Sequence, residues 1–244
     1  MKRNSDLTFK KGIKDGLPIG LGYLSVSFAF GVQASIAGIP LFMSVFISMS
    51  NLTSAGQLAG LSIIAACGTI LEMILTQLVI NARYFLMSIT LSQKLDNSFT
   101  LGHRFLCSAF VTDEIFAMAA AKPKTFGRKY FYGLVILPYF GWAIGTLLGA
   151  AAGDVLPSFV TNALGIALYA MFIAIIVPPS LSERGVLPAV LFAAGLSCIF
   201  YYVPFINQIS EGFKYIISAV ASASITALIF PIPVQEEEED YETA

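Results

Sequence analysis

The sequence predicts an all-α, polytopic membrane protein of about seven to eight transmembrane helices, with a broken or re-entrant helix near residues 50–57. Three observations carry this. Apolar side chains make up 57% of the 244 residues and charged ones only 12%, where a soluble domain carries roughly 25% charged. Mean hydropathy is +0.78. The apolar residues fall in long continuous runs, not in the roughly ten-residue alternating segments of a β-barrel. Such a composition excludes a water-soluble enzyme, a nucleic-acid binder and a disordered chain.

Candidate spans of about 20 apolar residues lie near 17–37, 39–64, 67–91, 101–121, 131–152, 158–180, 186–204 and 212–232. The first run is long and studded with Gly and Pro, unlike a cleavable signal. Between 38 and 92 there are only two charges, Glu72 and Arg83, and no polar loop. Two paths fit: two helices meeting at a tight turn near Cys67-Gly68, or a half-helix that dips in and returns. The polar stretch from Asn51 through Thr53 to Gln57 interrupts apolar sequence and is the place for an unwound segment. Irregular backbone at that depth needs protein or a water-filled cavity around it.

Two glycine series follow a four-residue spacing, each with a Leu-Pro pair. Gly12, Gly16 and Gly20 surround Leu17-Pro18, and Gly141, Gly145, Gly149 and Gly153 follow Leu137-Pro138. Each series occupies one helical face, where another backbone can approach closely. Helix packing is the plain reading, a sliding surface the alternative, and the two Leu-Pro pairs are a weak echo of an internal repeat.

The charges divide the chain into a basic N-terminus (1–16), one transmembrane transport domain (17–233) and an acidic disordered tail (234–244). Lys2, Arg3, Lys10, Lys11 and Lys14 mark the first, and Lys122, Lys124, Arg128 and Lys129 mark one loop. Excess Lys and Arg places both on the cytoplasmic side. An even number of crossings then separates them, and four candidates fit. Asp154 falls outside, and the turn Ser182 to Gly185 and the tail fall inside. The tail reads as a solvated end.

Cys67, Cys107 and Cys198 lie in apolar stretches without ligand spacing, and His103 is the single histidine. Neither a disulfide framework, a metal site nor a cofactor is expected. No Gly-x-x-x-x-Gly-Lys-Ser/Thr loop occurs, so ATP does not drive this chain directly.

Function is expected where charge is costly. Glu72, Arg83, Asp113 and Glu114 fall within spans, at roughly 2.5–3.5 kcal/mol each on insertion scales. Asp113 lies about 13–14 Å along a helix from Lys122, near mid-membrane. Asp113 and Glu114 point about 100° apart, so they are not one shared-proton pair. Glu72, Asp113 and Glu114 are candidates for proton coupling. The plain alternative is that one acid pairs with Arg83 or a loop cation as structural glue. Arg83 suits either a substrate carboxylate or a lipid headgroup. Asp113, the freed backbone at Ser54, Gly56 and Gln57, and Asn81 on the neighbouring polar stripe are the other candidate substrate contacts. Tyr130, Phe131, Tyr132, Tyr201 and Tyr202 read as interfacial aromatics and Trp142 as packing.

Several of these segments together resemble AzlC-type permeases, the large subunits of bacterial branched-chain amino acid exporters. They are Gly16-Leu17-Pro18 with Gly22 and Phe30-Gly31, Ser54-Ala55-Gly56-Gln57, Asn81-Ala82-Arg83-Tyr84 and Thr112-Asp113-Glu114-Ile115-Phe116. The resemblance covers roughly residues 10–230. It implies export of branched-chain or similar hydrophobic amino acids across the bacterial inner membrane, and coupling of that export to the proton gradient is expected from the acids within the spans. It also implies a small, hydrophobic AzlD-type partner subunit. Family members often carry Asn-Leu-Arg-His where this chain has Asn81-Ala82-Arg83-Tyr84, so a histidine-based proton step is not expected there. A membrane-embedded enzyme finds no nucleophile–base or metal cluster in the sequence. A channel or a scaffold subunit is the competing class.

Overall fold

The computed structural model describes residues 7–122, 125–153 and 155–231. Among them are ten helices: α1 Phe9–Ile36, α2 Leu41–Ser50, α3 Ser54–Ala65, α4 Ile70–Ser92, α5 Leu101–Ser108, α6 Asp113–Ala120, α7 Arg128–Ala152, α8 Ser158–Ser182, α9 Val186–Tyr202 and α10 Glu211–Ile229. α1, α4, α7 and α10 have the length and apolarity of membrane spans. Their outer faces carry large apolar side chains such as Leu21, Leu78, Phe85 and Leu228, all more than 60% exposed. So much apolar surface suits lipid, not water.

α1 and α7 form the spine, and they run parallel. Gly12 and Gly133 lie at their starts, where Gly12 abuts Tyr130 and Leu134 and Gly133 abuts Phe9. Gly16 meets Leu134, Gly141 meets Gly20, Gly145 meets Leu24, Gly149 meets Phe28 and Gly153 meets Ser35. A Cβ on most of these glycines would collide with the facing backbone, so the four-residue spacing serves close packing of these two helices.

The contacts at helix ends fix the path of the chain. At the basic end, Lys94 Nζ donates to the carbonyls of Ala120 and Lys122, and Lys122 pairs with Asp15 at 2.8 Å. Leu95 bridges to Phe126. The starts of α1, α5 and α7 and the ends of α4 and α6 therefore lie together. At the opposite end, α3 turns into α4 through 66–69, with Cys67 at φ 54° and Gly68 N–H donating to Ile63 O. There Gly212, at the start of α10, abuts Glu72, and Gly153 abuts Ser35. Gly185, at the start of α9, abuts Thr226 and Phe230 at the end of α10, which puts the α8–α9 turn at the basic end.

Two consequences depart from the sequence reading. Residues 39–64 do not cross: α2 enters from the end opposite the basic one, breaks at 51–53, and α3 returns to that same end. Gln57 Nε2 donates to Ser48 Oγ at 3.0 Å across this hairpin. The tight turn near Cys67-Gly68 and the half-helix that dips and returns are thus both present. Residues 101–121 do not cross either. α5 enters from the basic end, the chain breaks at 109–112, and α6 goes back. Only α1 and α4 lie between the starts of α1 and α7, not four crossings, though the even parity stands. The second hairpin rests on a buried core that includes Phe99, Ile115, Phe126, Tyr130 and Phe131.

The repeat also differs from the echo in the Leu-Pro pairs. α1 followed by hairpin α2–α3 and α4 followed by hairpin α5–α6 are the same arrangement in opposite orientation. α7 then reprises α1. Lys2, Arg3, Lys124, Asp154 and the tail 234–244 lie outside the described residues.

Candidate functional site

The two hairpin tips meet mid-depth. Each tip ends in a threonine that caps the returning helix. Thr53 Oγ1 accepts from Gly56 N–H at 3.4 Å, and Thr112 Oγ1 accepts from Ile115 N–H at 3.3 Å. A side-chain oxygen at the N-cap satisfies one of the first-turn N–H groups that a helix leaves unpaired. The positive ends of both helix dipoles therefore face the centre of the protein.

A tyrosine from the opposite half braces each cap. Tyr84 on α4 donates to Thr53 Oγ1 at 3.2 Å. Tyr23 on α1 lies 2.6 Å from Thr112 Oγ1 and also within hydrogen-bond distance of Glu114 Oε2. Between the tips is a cavity of about 320 Å³. α1 supplies Ile19, Gly22, Tyr23, Ser25 and Val26, and the first tip supplies Leu52 and Ser54. Tyr84 closes one side, Thr112, Asp113 and Glu114 another, and Trp142 of α7 a third. Its volume is near the lower end of small-molecule pockets, about 300–1,000 Å³. Most of its wall is apolar, with acidic groups and two helix starts concentrated at one region.

Arg83 Nη1 pairs with Asp113 Oδ2 at 2.9 Å, their side chains 38% and 28% exposed. Arg83 Nη2 also donates to Tyr84 Oη at 3.2 Å. Arg83 thus ties α4 to the second tip beside the cavity, the plain alternative weighed from sequence. Ser54, Asp113 and Glu114 stand on the cavity wall. Gly56, Gln57 and Asn81 stand behind it. Gly56 O accepts from Gln77 Nε2 at 2.8 Å, and Gln77 Oε1 accepts from Asn81 Nδ2 at 3.1 Å. Gln57 is buried, with Oε1 accepting from Trp142 Nε1 at 2.9 Å. Both ends of its amide are thereby engaged, Nε2 on Ser48 and Oε1 on Trp142, and Ser48 bonds Thr146 of α7 at 2.7 Å.

Glu72 is not brought into this cluster. It closes a capping box at the start of α4: Thr69 N–H donates to Glu72 Oε2 at 2.8 Å, and Glu72 N–H donates to Thr69 Oγ1 at 3.2 Å. Sequence reading passed over Tyr23, Tyr84 and Thr112 as site residues and took Trp142 for packing. One signal was present: Thr112 followed by two acids is an N-cap signature, and it marks a helix start inside an apolar run. No group of three or more His, Cys, Asp or Glu side chains suited to a metal occurs among the described residues.

Two opposed re-entrant hairpins within a helical bundle define a polytopic membrane protein with a central, membrane-enclosed site. Comparison with known proteins makes this specific. The family model described as AzlC protein matches residues 18–156. The chain is 31% identical over 175 residues to Inner membrane protein YgaZ of Escherichia coli (strain K12), covering 68% of this chain and 71% of that protein. It is 31% identical over 185 residues to an uncharacterized membrane protein of Archaeoglobus fulgidus, covering 75% and 80%. A Helicobacter pylori (strain 26695) membrane protein, also uncharacterized, is 25% identical over 174 residues, covering 68% and 75%. The chain belongs to the AzlC family of membrane proteins. No solved structure matches it.

Proposed function

We propose that this chain is the large subunit of a secondary transporter. It exports branched-chain or similar hydrophobic amino acids across the bacterial cytoplasmic membrane, coupled to the proton gradient. The observation that carries the reading is the cavity at the two tips: an apolar chamber with two helix N-termini and two carboxylates at mid-depth. A zwitterion with an aliphatic side chain matches it. Its carboxylate suits the free N–H groups at the starts of α3 and α6. Its ammonium suits Glu114 and Asp113, and its side chain the surface of Ile19, Val26, Leu52 and Trp142. Ser54 contacts substrate in this reading, while Gly56, Gln57, Asn81 and Arg83 hold the walls in place. One charge crossing 100 mV supplies about 2.3 kcal/mol, enough to drive export against a gradient.

The basic end is taken as cytoplasmic, which puts both termini inside, with 17–233 as the transport domain flanked by the short 1–16 and 234–244 segments. The family also suggests an AzlD-type subunit. Gly22 and Ser25 leave one side of the cavity exposed, next to the partly exposed Arg83–Asp113 pair. A charged pair at mid-membrane is costly against lipid, so this open side is the face we assign to that partner.

The test is efflux of labelled leucine from cells expressing this chain with and without a small AzlD-type subunit. Export that depends on the chain is expected. No export in either case points to a scaffold, and flux that neither saturates nor follows the proton gradient points to a channel.

A further inference from the structure

We infer that Glu114, not its neighbour Asp113, carries the coupling proton, and that it acts by reversing the hydrogen-bond chain Glu114–Tyr23–Thr112 between α1 and the tip of hairpin α5–α6. The inference rests on the transport reading above and deepens it.

The two acids are adjacent, but their partners differ. Asp113 is held by Arg83 at 2.9 Å. Protonating it would strand a guanidinium in the membrane interior. Glu114 has no cation within ion-pair distance among the described residues, and its Oε2 meets the Tyr23 hydroxyl. The charged and titratable groups around it are Tyr23 from α1, Asp113 on α6 with Arg83 behind it, and Tyr84 from α4. Trp142 of α7 lines the same cavity.

A tyrosine hydroxyl donates one proton, and an ionised carboxylate only accepts. With Glu114 ionised, Tyr23 donates to Oε2, and the Thr112 hydroxyl donates to Tyr23. With Glu114 protonated, its carboxyl donates to Tyr23, and Tyr23 donates to Thr112. A proton on Glu114 Oε2 therefore turns both bonds around and points the Thr112 hydroxyl hydrogen toward the cavity. The same event removes the negative charge that would hold an ammonium. Proton binding and substrate release are thus one step, as antiport requires. The other hairpin supplies the contrast. There Arg83 donates to Tyr84 and Tyr84 to Thr53. An arginine never accepts, so the Arg83–Tyr84 bond cannot reverse.

The sole tryptophan of the chain reports on the relay, because the Trp142 and Tyr23 rings meet edge-on with centroids 5.0 Å apart. In the purified full chain, Trp142 emission is expected to shift with pH. Glu114→Gln and Tyr23→Phe should lose that shift, and Asp113→Asn should keep it. In proteoliposomes with labelled leucine, Glu114→Gln should lose the response to a pH gradient. Should Glu114→Gln fail to fold, Tyr23→Phe, which removes a single hydroxyl, carries the test. A shift that survives in Glu114→Gln, or vanishes only in Asp113→Asn, overturns the assignment. PH-driven transport unchanged in Glu114→Gln does the same. An emission shift that follows Glu114 in a protein that moves no leucine, with or without the partner, leaves the relay standing and overturns the transport reading.

Discussion

The Tyr84 hydroxyl donates to the Thr53 hydroxyl that caps α3, although Tyr84 belongs to the helix that precedes the other hairpin. Tyr23 and Thr112 repeat the relationship in reverse. Each half of the inverted repeat thus holds the tip of the other half's hairpin, and the site exists only where the halves exchange these bonds. Any movement of a tip away from the centre breaks its bond to the opposite half's tyrosine.

Loss of either cap bond should be measurable as stability. Thr53→Ala and Thr112→Ala should each cost about 1 kcal/mol, the usual worth of an N-cap. Tyr84→Phe should cost a similar amount. The double variant Tyr84→Phe, Thr53→Ala should cost less than the sum, because both singles remove the same bond. Thermal unfolding of the purified protein in detergent measures all four. Strict additivity would show that the two hydroxyls do not interact.

The spine makes a sharper steric prediction. A Cβ at Gly149 would run into the Phe28 carbonyl, whereas one at Gly195 meets nothing within 4 Å. Gly149→Ala should destabilise by about 1–3 kcal/mol, the range for overpacking. Gly195→Ala, in the middle of α9, should be neutral or gain up to about 1 kcal/mol from helix propensity. Equal melting temperatures for the two variants would contradict the α1–α7 contact.

Arg83 and Asp113 should behave as a pair. Arg83→Met leaves a carboxylate without its cation, and Asp113→Asn leaves a guanidinium without its anion. The double variant should recover part of the loss, with a coupling of about 1–3 kcal/mol. Partial exposure keeps each single below the roughly 3–5 kcal/mol expected when a fully buried pair is broken. A double-mutant cycle on unfolding checks this, and zero coupling would contradict it.

The re-entrant path can be tested by labelling. In a chain with Cys107→Ser and Cys198→Ser, the native Cys67 and a Gly38→Cys variant lacking Cys67 should react with an impermeant thiol reagent from the same side of the membrane. Asn97→Cys in the cysteine-free chain should react from the other. If Gly38→Cys and Cys67 label from opposite sides, α2–α3 is a crossing and the hairpin description fails.

The first hairpin was legible because Asn51, Thr53, Ser54 and Gln57 put hydrogen-bonding groups where an apolar helix has no use for them. The second was hidden because Ala109-Phe110-Val111 is as apolar as any span, and hydropathy cannot tell a break from a continuous helix. Only the cap chemistry of Thr112 marks it. The glycine spacing revealed a close-packed face but not its partner, since periodicity on one helix says nothing of which helix it meets. The Arg83–Asp113 pair was among the alternatives, while the tyrosine braces were not. Tyr23 and Tyr84 are ordinary apolar-compatible residues until the fold brings each beside a threonine of the other half.

The α1–α7 spine also sets a schedule for biosynthesis. Phe28 of α1 meets Gly149 of α7, which is made some 120 residues later. At about 5–20 residues per second, that is roughly 6–24 s of synthesis. Throughout that interval the glycine face of α1 has no partner, and both hairpins enter the bilayer before the helix that buries them exists. A factor that shields α1 during that wait would raise the yield of folded protein without touching the finished molecule.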